Sequence, residues 1–268
     1  RVLTSLGAQV VPITTAGREI GRRFEEQLQH DTFDKEIVKI RSEIRTNLTI
    51  SDRQGLSIKL NERGPTLSAT EQRRIIEATE KWLPGSSWLM LCGSLPPGMD
   101  LHFYTKLLKL ANKHKVETLL DTDGDPLLHG LEGHPTIVKP NQSEAERLLN
   151  MALITRSQLI DAVRRIKALG PKSVVLSLGA RGLIAATATE GILEVLPPPI
   201  DAVSPIGAGD AMAAAMVWSL ARGDAFSATL RWSVAAEPAS AKLPGITLAN
   251  LEQTKEFYPQ TQTTRVAV

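Results

Sequence analysis

The sequence predicts a doubly wound α/β fold with a largely parallel sheet, and three observations carry that prediction. From Ser68 onward, short apolar runs of strand length alternate with longer runs of helical period. Polar or glycine-rich stretches at 93–98, 121–125, 139–144, 177–182 and 207–210 fall at or near the strand ends, where ligands sit in such sheets. The third observation is a stretch that breaks the pattern. Residues 46–50 and 56–60 alternate apolar with polar around Asp52, Arg53, Gln54 and Gly55, which reads as a hairpin with one wet face. A sheet covered on both sides has no place for it, so it reads as a lid. The division expected is an α/β core over 1–44 and 62–268 and a β-hairpin lid over 45–61.

The elements follow in order. Residues 2–6 read as the end of a helix already under way, which suggests that more chain precedes Arg1. Residues 9–14 read as a strand and 22–28 as a helix, after Gly17 and Gly21. Ser68 with Glu71 is a capping-box pattern opening a helix that ends before Pro84. Strands are expected over 87–92, 116–120, 136–138, 173–177, 183–187 and 194–196. The strand over 183–187 is expected to run antiparallel to the one before it. Helices are expected over 102–114, 142–150, 157–169, 225–236 and 249–257. Residues 211–220 are so uniformly small and apolar that they read as a buried helix.

Composition narrows the partners. The chain has 268 residues, 42% hydrophobic and 22% charged, which suits a soluble domain with a sizeable core. A net charge of +2 with scattered basic residues argues against a nucleic-acid partner. No apolar run has the length of a membrane span, and the single cysteine, Cys92, fits a reducing compartment. The expected location is the cytoplasm. The histidines show no metal-ligand spacing along the chain, and they, Cys92 and the tryptophans read as structural.

Five features carry chemistry. Gly207, Ala208 and Gly209 form a turn with little side chain, and the helix after it offers unpaired N–H groups and a positive dipole end. That is an anion site, and an acid beside it, Asp210, makes sense if it handles a proton; otherwise it is an N-cap. The working expectation is phosphoryl transfer to a hydroxyl with Asp210 as base. Lys139 and Pro140 precede Asn141 and Glu144, which read equally as a capping box or as holders of a hydrated Mg2+ ion. Ser177, Leu178, Gly179, Ala180, Arg181 and Gly182 form either a plain turn or a nucleotide-wrapping loop. Gly93 and Ser94 open a loop whose small residues would let a sugar lie close to the backbone. Arg45, at the start of the hairpin, suits a phosphate through its paired donors.

Together these motifs resemble the PfkB carbohydrate kinases of the ribokinase-like fold, in the branch of 1-phosphofructokinase, 6-phosphofructokinase type 2 and tagatose-6-phosphate kinase. The resemblance rests on Gly93–Gly98, Val138–Glu144, Ser177–Gly182 and Gly207–Asp210 in order and approximate spacing, with Arg45-Thr46-Asn47 and Asn61–Pro65. It implies that Asp210 deprotonates the acceptor hydroxyl while the amides of Gly207, Ala208 and Gly209 stabilise the transferred phosphoryl group. It implies ATP bound along Lys139, Asn141, Ser177–Gly182 and Gly209, with Mg2+ organised through water by Asn141 and Glu144. Arg45, Gly93 and Ser94 would meet a sugar phosphate, with fructose 1-phosphate the expected acceptor and fructose 6-phosphate or tagatose 6-phosphate the alternatives. The lid would pair with a second subunit to make a homodimer. A binding protein that has lost catalysis is the reading from a different class. Three departures stand out. The family's Gly-Gly-Lys-Gly-x-Asn segment would lie before Arg1, Pro205 stands where Ser or Thr is usual, and Glu237-Pro238 is expected to bend or end a helix.

Overall fold

The computed structural model describes residues 1–51, 57–204 and 206–266. The expected hairpin turn at 52–55 and Pro205 lie outside the described residues. The chain forms two compact units, one of Arg1–Ala8, Ser86–Ser94 and Leu101–Val268, the other of Gln9–Gly85 and Leu95–Asp100. Among the described residues no helix is long and apolar enough to cross a membrane.

The smaller unit holds a parallel pair, β1 (Ile13–Ala16) and β2 (Glu36–Lys39), and an antiparallel pair, β3 (Asn47–Ser51) and β4 (Ser57–Asn61). Helices α2 (Arg18–Gln29) and α3 (Ala69–Trp82) complete it, α1 (Val2–Ser5) belonging to the larger unit. Strand β1 starts later than the apolar run suggests. Pro12 has no N–H for the ladder, and pairing begins at Ile13 against Glu36. Helix α2 starts earlier than expected, directly after Gly17. A Cβ on Gly17 would stand 2.3 Å from the Ser42 carbonyl oxygen, so only glycine lets the two backbones approach. Glu71 is the anchor of α3. It closes the predicted capping box with Ser68, and its other oxygen accepts from the Arg41 amide at 2.7 Å. Those bonds hold its carboxyl below the usual range.

In the larger unit a seven-stranded sheet runs in the order β11-β10-β9-β8-β7-β6-β5. Its parallel part comprises β5 (Trp88–Cys92), β6 (Glu117–Asp121), β7 (Ile137–Val138) and β8 (Ser173–Ser177). Strands β9 (Leu183–Ala186), β10 (Ile192–Leu196) and β11 (Gln262–Arg265) extend it antiparallel from β8. Successive residues are buried on opposite faces. Leu119, Ile137, Val175, Leu183 and Val195 pack against α8 (Ala208–Ala221) and α9 (Phe226–Ala241) through Met212, Met216, Leu230 and Val234. Leu120, Val138, Val174 and Ile184 are as deeply buried on the other face. That face meets α4 (Phe103–Lys113), α5 (Gly124–Leu131), α6 (Gln142–Leu149) and α7 (Arg156–Ala168). A sheet wound on both faces, mostly parallel at its centre, is therefore present as expected.

Three elements escaped the sequence reading: β2, α5 and β11. Helix α5 opens on Gly124 and Asp125 with Pro126 in its first turn, residues that punctuate more often than they propagate. Strand β11 is exposed along all four residues and carries no apolar alternation. Helix α9 corrects an expectation. It continues through Glu237 and Pro238 to Ala241 instead of ending there. Proline removes one N–H from the ladder, but Leu230, Val234, Ala235 and Ala239 are buried, so packing outweighs one lost bond. Helix α10 (Leu251–Phe257) then follows, capped by Asn250.

Turn geometry between β8 and β9 is set by Gly182, with φ of +79°. A Cβ there would sit 2.0 Å from the Val195 carbonyl oxygen. Gly182→Ala is expected to destabilise the fold by about 1–3 kcal/mol or more, read as a lower midpoint in urea unfolding at unchanged slope. An unchanged midpoint would mean that the loop can relax away from β10.

Candidate active site

The site lies in the larger unit, where the carboxyl ends of β5, β6, β7 and β8 meet the amino end of α8. Gly207 is the N-cap of α8, with φ of +76° and no side-chain cap hydrogen bond. The backbone N–H groups of the first turn therefore face outward as helix geometry leaves them. Ser204, ahead of this turn, is held in place. Ser204 donates from Oγ to the Gly245 carbonyl at 2.8 Å, and its amide donates to Ala241 at 2.9 Å. Leu248 lies beneath the turn, so close that a Cβ on Gly207 would stand 2.8 Å from it. Beside Gly209, by contrast, the space a Cβ would enter is open. Ala208 is buried and Asp210 is exposed in the first turn. These are the requirements of an anion cradle with a carboxylate at its edge.

Lys139 organises the charges. It is buried, and its Nζ lies 3.0 Å from Oδ2 of Asp121 at the end of β6. Its positive charge also acts on Asp210, Glu144 and Glu237, in each case opposing a rise in pKa. Burial is the larger effect at all three and pushes their carboxyls above the usual range. The charge of Asp121 raises Asp210 further, and Asp121 and Asp123 together raise Glu144. Asp210 is open to solvent along part of its side chain, yet the surrounding protein takes away much of its hydration. A carboxylate made more basic in this way, beside outward-facing amides, is equipped to accept a proton from a neutral donor.

Asn141 and Glu144 form the capping box of α6. The Asn141 amide donates to Glu144 Oε2 at 2.9 Å, and its Nδ2 donates to Oε1 at 2.6 Å. That box uses one acceptor position on each oxygen of a carboxylate that offers about four, so room remains for ordered water. With Asp121 and Asp123 nearby in charge, the donor set is oxygen-rich and anionic. It fits Mg2+, which prefers hard ligands and keeps its own waters. Asp123 is otherwise occupied, paired with Arg147 at 2.7 Å and capping α5.

The loop after β8 joins this cluster. Ser177 forms a parallel bridge with Asn141, and its amide donates to the Pro140 carbonyl at 3.0 Å. Gly179, Ala180 and Arg181 form one 3-10 turn between Leu178 and Gly182, closed by the Leu178 amide donating to the Gly182 carbonyl at 2.8 Å. Arg181 donates to Gln142 on α6. Gly93 is held by its own amide on the Asp121 carbonyl at 2.8 Å and by Tyr104, whose hydroxyl donates to the Gly93 carbonyl at 2.8 Å. Ser94 follows at the unit's edge. Thus Gly93, Lys139, Asn141, Glu144, Ser177–Gly182 and Gly207–Asp210 are brought to one end of one sheet. Arg45 belongs to the smaller unit, where its stem lies 3.5 Å from the Cβ position of Gly64.

Three residues of the cluster carry no functional assignment from sequence. Asp121 ended a strand and was visible only as part of a polar loop. Glu237 stood next to a proline and read as a helix break. Cys92 read as structural; it is exposed, yet the surrounding protein takes hydration from its thiol and, with the charges of Asp121 and Asp210, pushes it up to about 12. Glu237 gives a test of the electrostatics. A carboxyl raised in the fold costs stability once ionised, at pH above its folded pKa, and costs none below its unfolded value. Glu237→Gln is therefore expected to raise the melting temperature at neutral pH, with the gain vanishing in acid. A gain independent of pH would assign the effect to packing.

Residues 1–248 match the family model described as pfkB family carbohydrate kinase. An ATP-dependent 6-phosphofructokinase isozyme 2 from Escherichia coli K12 is 30% identical over 261 residues, covering 96% of this chain and 84% of that protein. A crystal structure of phosphofructokinase-2 from Escherichia coli superposes with a TM-score of 0.90 over 97% of this chain and 84% of that chain, at 30% identity. A tagatose-6-phosphate kinase of Staphylococcus epidermidis is 29% identical, over 82% of this chain and 71% of its own length. A 1-phosphofructokinase of Haemophilus influenzae is 26% identical, over 81% and 70%. With this kinship along nearly its whole length, the chain belongs to the pfkB family and is a sugar-phosphate kinase of the ribokinase-like α/β fold.

Proposed function

We propose that the protein transfers the terminal phosphoryl group of ATP to a hydroxyl of a ketohexose phosphate, with fructose 1-phosphate as acceptor at its 6-hydroxyl. The observation that carries the chemistry is the carboxyl of Asp210, raised by its surroundings at the amino end of α8. A carboxylate oxygen of Asp210 takes the hydroxyl proton as the acceptor oxygen bonds to phosphorus. The bond from phosphorus to the bridging oxygen breaks, and ADP leaves with that electron pair. The amides of Gly207, Ala208 and Gly209 meet the charge on the transferred group, and Lys139 offsets the acids around it. Ser177–Gly182 borders the nucleotide, and Gly93 with Ser94 borders the sugar. Asn141 and Glu144 would hold Mg2+ through water, and the ion would supply charge neutralisation at the phosphates.

Arg45 holds the phosphate already on the acceptor. Its partner surface is the hairpin of β3 and β4, which bares Leu48, Ile50, Ile58 and Leu60 at 50–56% exposure. Leu48 pairs with Leu60 and Ile50 with Ile58, so the four share one face. An apolar face of this kind supports a homodimer through the lid. The kinship with a 1-phosphofructokinase supports fructose 1-phosphate as acceptor. The 30% identity to a 6-phosphofructokinase isozyme favours fructose 6-phosphate as the second reading, and tagatose 6-phosphate follows from the third relative.

ADP release across these three sugar phosphates separates the readings. The highest kcat/KM is expected for fructose 1-phosphate; a higher value for fructose 6-phosphate installs the second reading. Arg45→Ala is expected to raise KM for the sugar phosphate with kcat nearly unchanged, because it removes binding shared by ground and transition states. An unchanged KM removes Arg45 from the site.

A further inference from the structure

We propose that His102, His129 and Glu132 form a binding site for a divalent cation of borderline softness, of which Zn2+ is the type. The site lies on helices α4 and α5 and uses none of the residues assigned to phosphoryl transfer. His129 and Glu132 stand one turn apart at the end of α5, and His102 is the N-cap of α4. One ligand atom from each lies within 4.8 Å of both others. The Glu132 carboxylate reaches both rings, Oε1 at 3.2 Å from His129 Nδ1 and Oε2 at 3.6 Å from His102 Nδ1. A tetrahedral ion with bonds of about 2.0–2.1 Å has ligand atoms about 3.3 Å apart, and each ring nitrogen already stands near that length from one of the two carboxylate oxygens. The imidazoles lean together, with centroids 4.3 Å apart and ring planes inclined at 50°.

The support beneath the three groups is firm. Thr105 donates from Oγ1 to the His129 carbonyl at 2.6 Å, and Asn112 donates from Nδ2 to the Gly133 carbonyl at 2.9 Å. A Cβ on Gly133 would stand 2.7 Å from Leu108, so the two helices meet backbone to side chain at that point. The site faces water, with His129 27% exposed and Glu132 54% exposed on their side chains. Solvent can therefore deliver the ion and fill its fourth position. The positive charge of Lys109 also acts on the Glu132 carboxylate. Lys109 is the cation an entering metal must displace or tolerate. Two nitrogens with one carboxylate select Zn2+, Co2+ or Ni2+ over Mg2+, which favours the oxygen-rich cluster at Asn141 and Glu144.

The test is calorimetric titration of Zn2+ into the chelator-stripped full chain in excess Mg2+ at neutral pH. One saturable site is expected, weakened at least about tenfold by His129→Ala, by His102→Ala and by Glu132→Gln, and untouched by His114→Ala at the exposed end of α4. Saturating Zn2+ is expected to raise the melting temperature of the parent chain and not of the variants. Co2+ is expected to give visible d–d bands without a sulfur charge-transfer band. No saturable binding overturns the proposal. So does binding that survives all three substitutions, or a sulfur band placing the metal at Cys92. If a histidine variant fails to fold, Glu132→Gln on the exposed carboxylate decides alone.

Discussion

Asp210→Asn is expected to lower kcat by about 10²–10⁴-fold while leaving nucleotide binding in place. The amide has the shape of the carboxylate and keeps an acceptor oxygen, but it cannot take a proton at neutral pH. What is lost is an interaction made only as the acceptor oxygen attacks, so the loss appears in kcat and not in KM. Stopped-flow nucleotide binding beside steady-state ADP release separates the two, and turnover retained at the parent rate removes Asp210 as the base. The parent enzyme should also lose kcat/KM as pH falls through the Asp210 pKa, because burial and then Asp121 raise it and only the ionised form works. The stability effect has the opposite sense from that of a paired carboxylate. A raised carboxyl costs stability once pH rises through its folded pKa, so the inactive variant is expected to melt higher than the parent at neutral pH. An enzyme that is dead but more stable cannot be explained as an unfolded one.

Lys139→Met is expected to cost about 3–5 kcal/mol of stability, the cost of leaving one buried partner of an ion pair without the other. Lys139 is 6% and Asp121 16% exposed on their side chains, and 3.0 Å separates their charged atoms. Urea unfolding measures the loss. The rate profile carries a second readout, since Lys139 opposes the rise of Asp210, Glu144 and Glu237. Without it the acidic limb of kcat/KM moves to higher pH. Asp121→Asn should move that limb the other way, because the charge that raises Asp210 is gone while Lys139 keeps a hydrogen-bond acceptor. Two shifts in the same direction would refute Lys139 and Asp121 as opposed influences on one base.

Much of this site could be read from the chain because its pieces are local. Gly207, Ala208, Gly209 and Asp210 make a helix start out of four neighbours, and Asn141 with Glu144 makes a capping box out of residues three apart. Gly182 declares a tight turn by being the one residue that fits. Such features depend on backbone geometry within a few residues, which side-chain type controls directly. The buried helix α8 was legible for a similar reason, since a run of alanine and methionine has no polar face to expose.

Other features depend on contacts between distant residues. Pro238 predicts a helix end by local rules, and burial around α9 overrides it. Asp121 is one acid in a polar loop until β6 and β7 lie side by side and place Lys139 against it. His102 and His129 have no ligand spacing along the chain, and only the packing of α4 on α5 brings Glu132 between them. The sequence by itself determined the alternation of strands and helices, the loops at the strand ends and the acid at the start of α8. Only the tertiary structure decided which charges face one another. Hydrophobic burial sets that choice, because it aligns whole faces of the sheet and carries the polar residues at their ends to wherever the core requires.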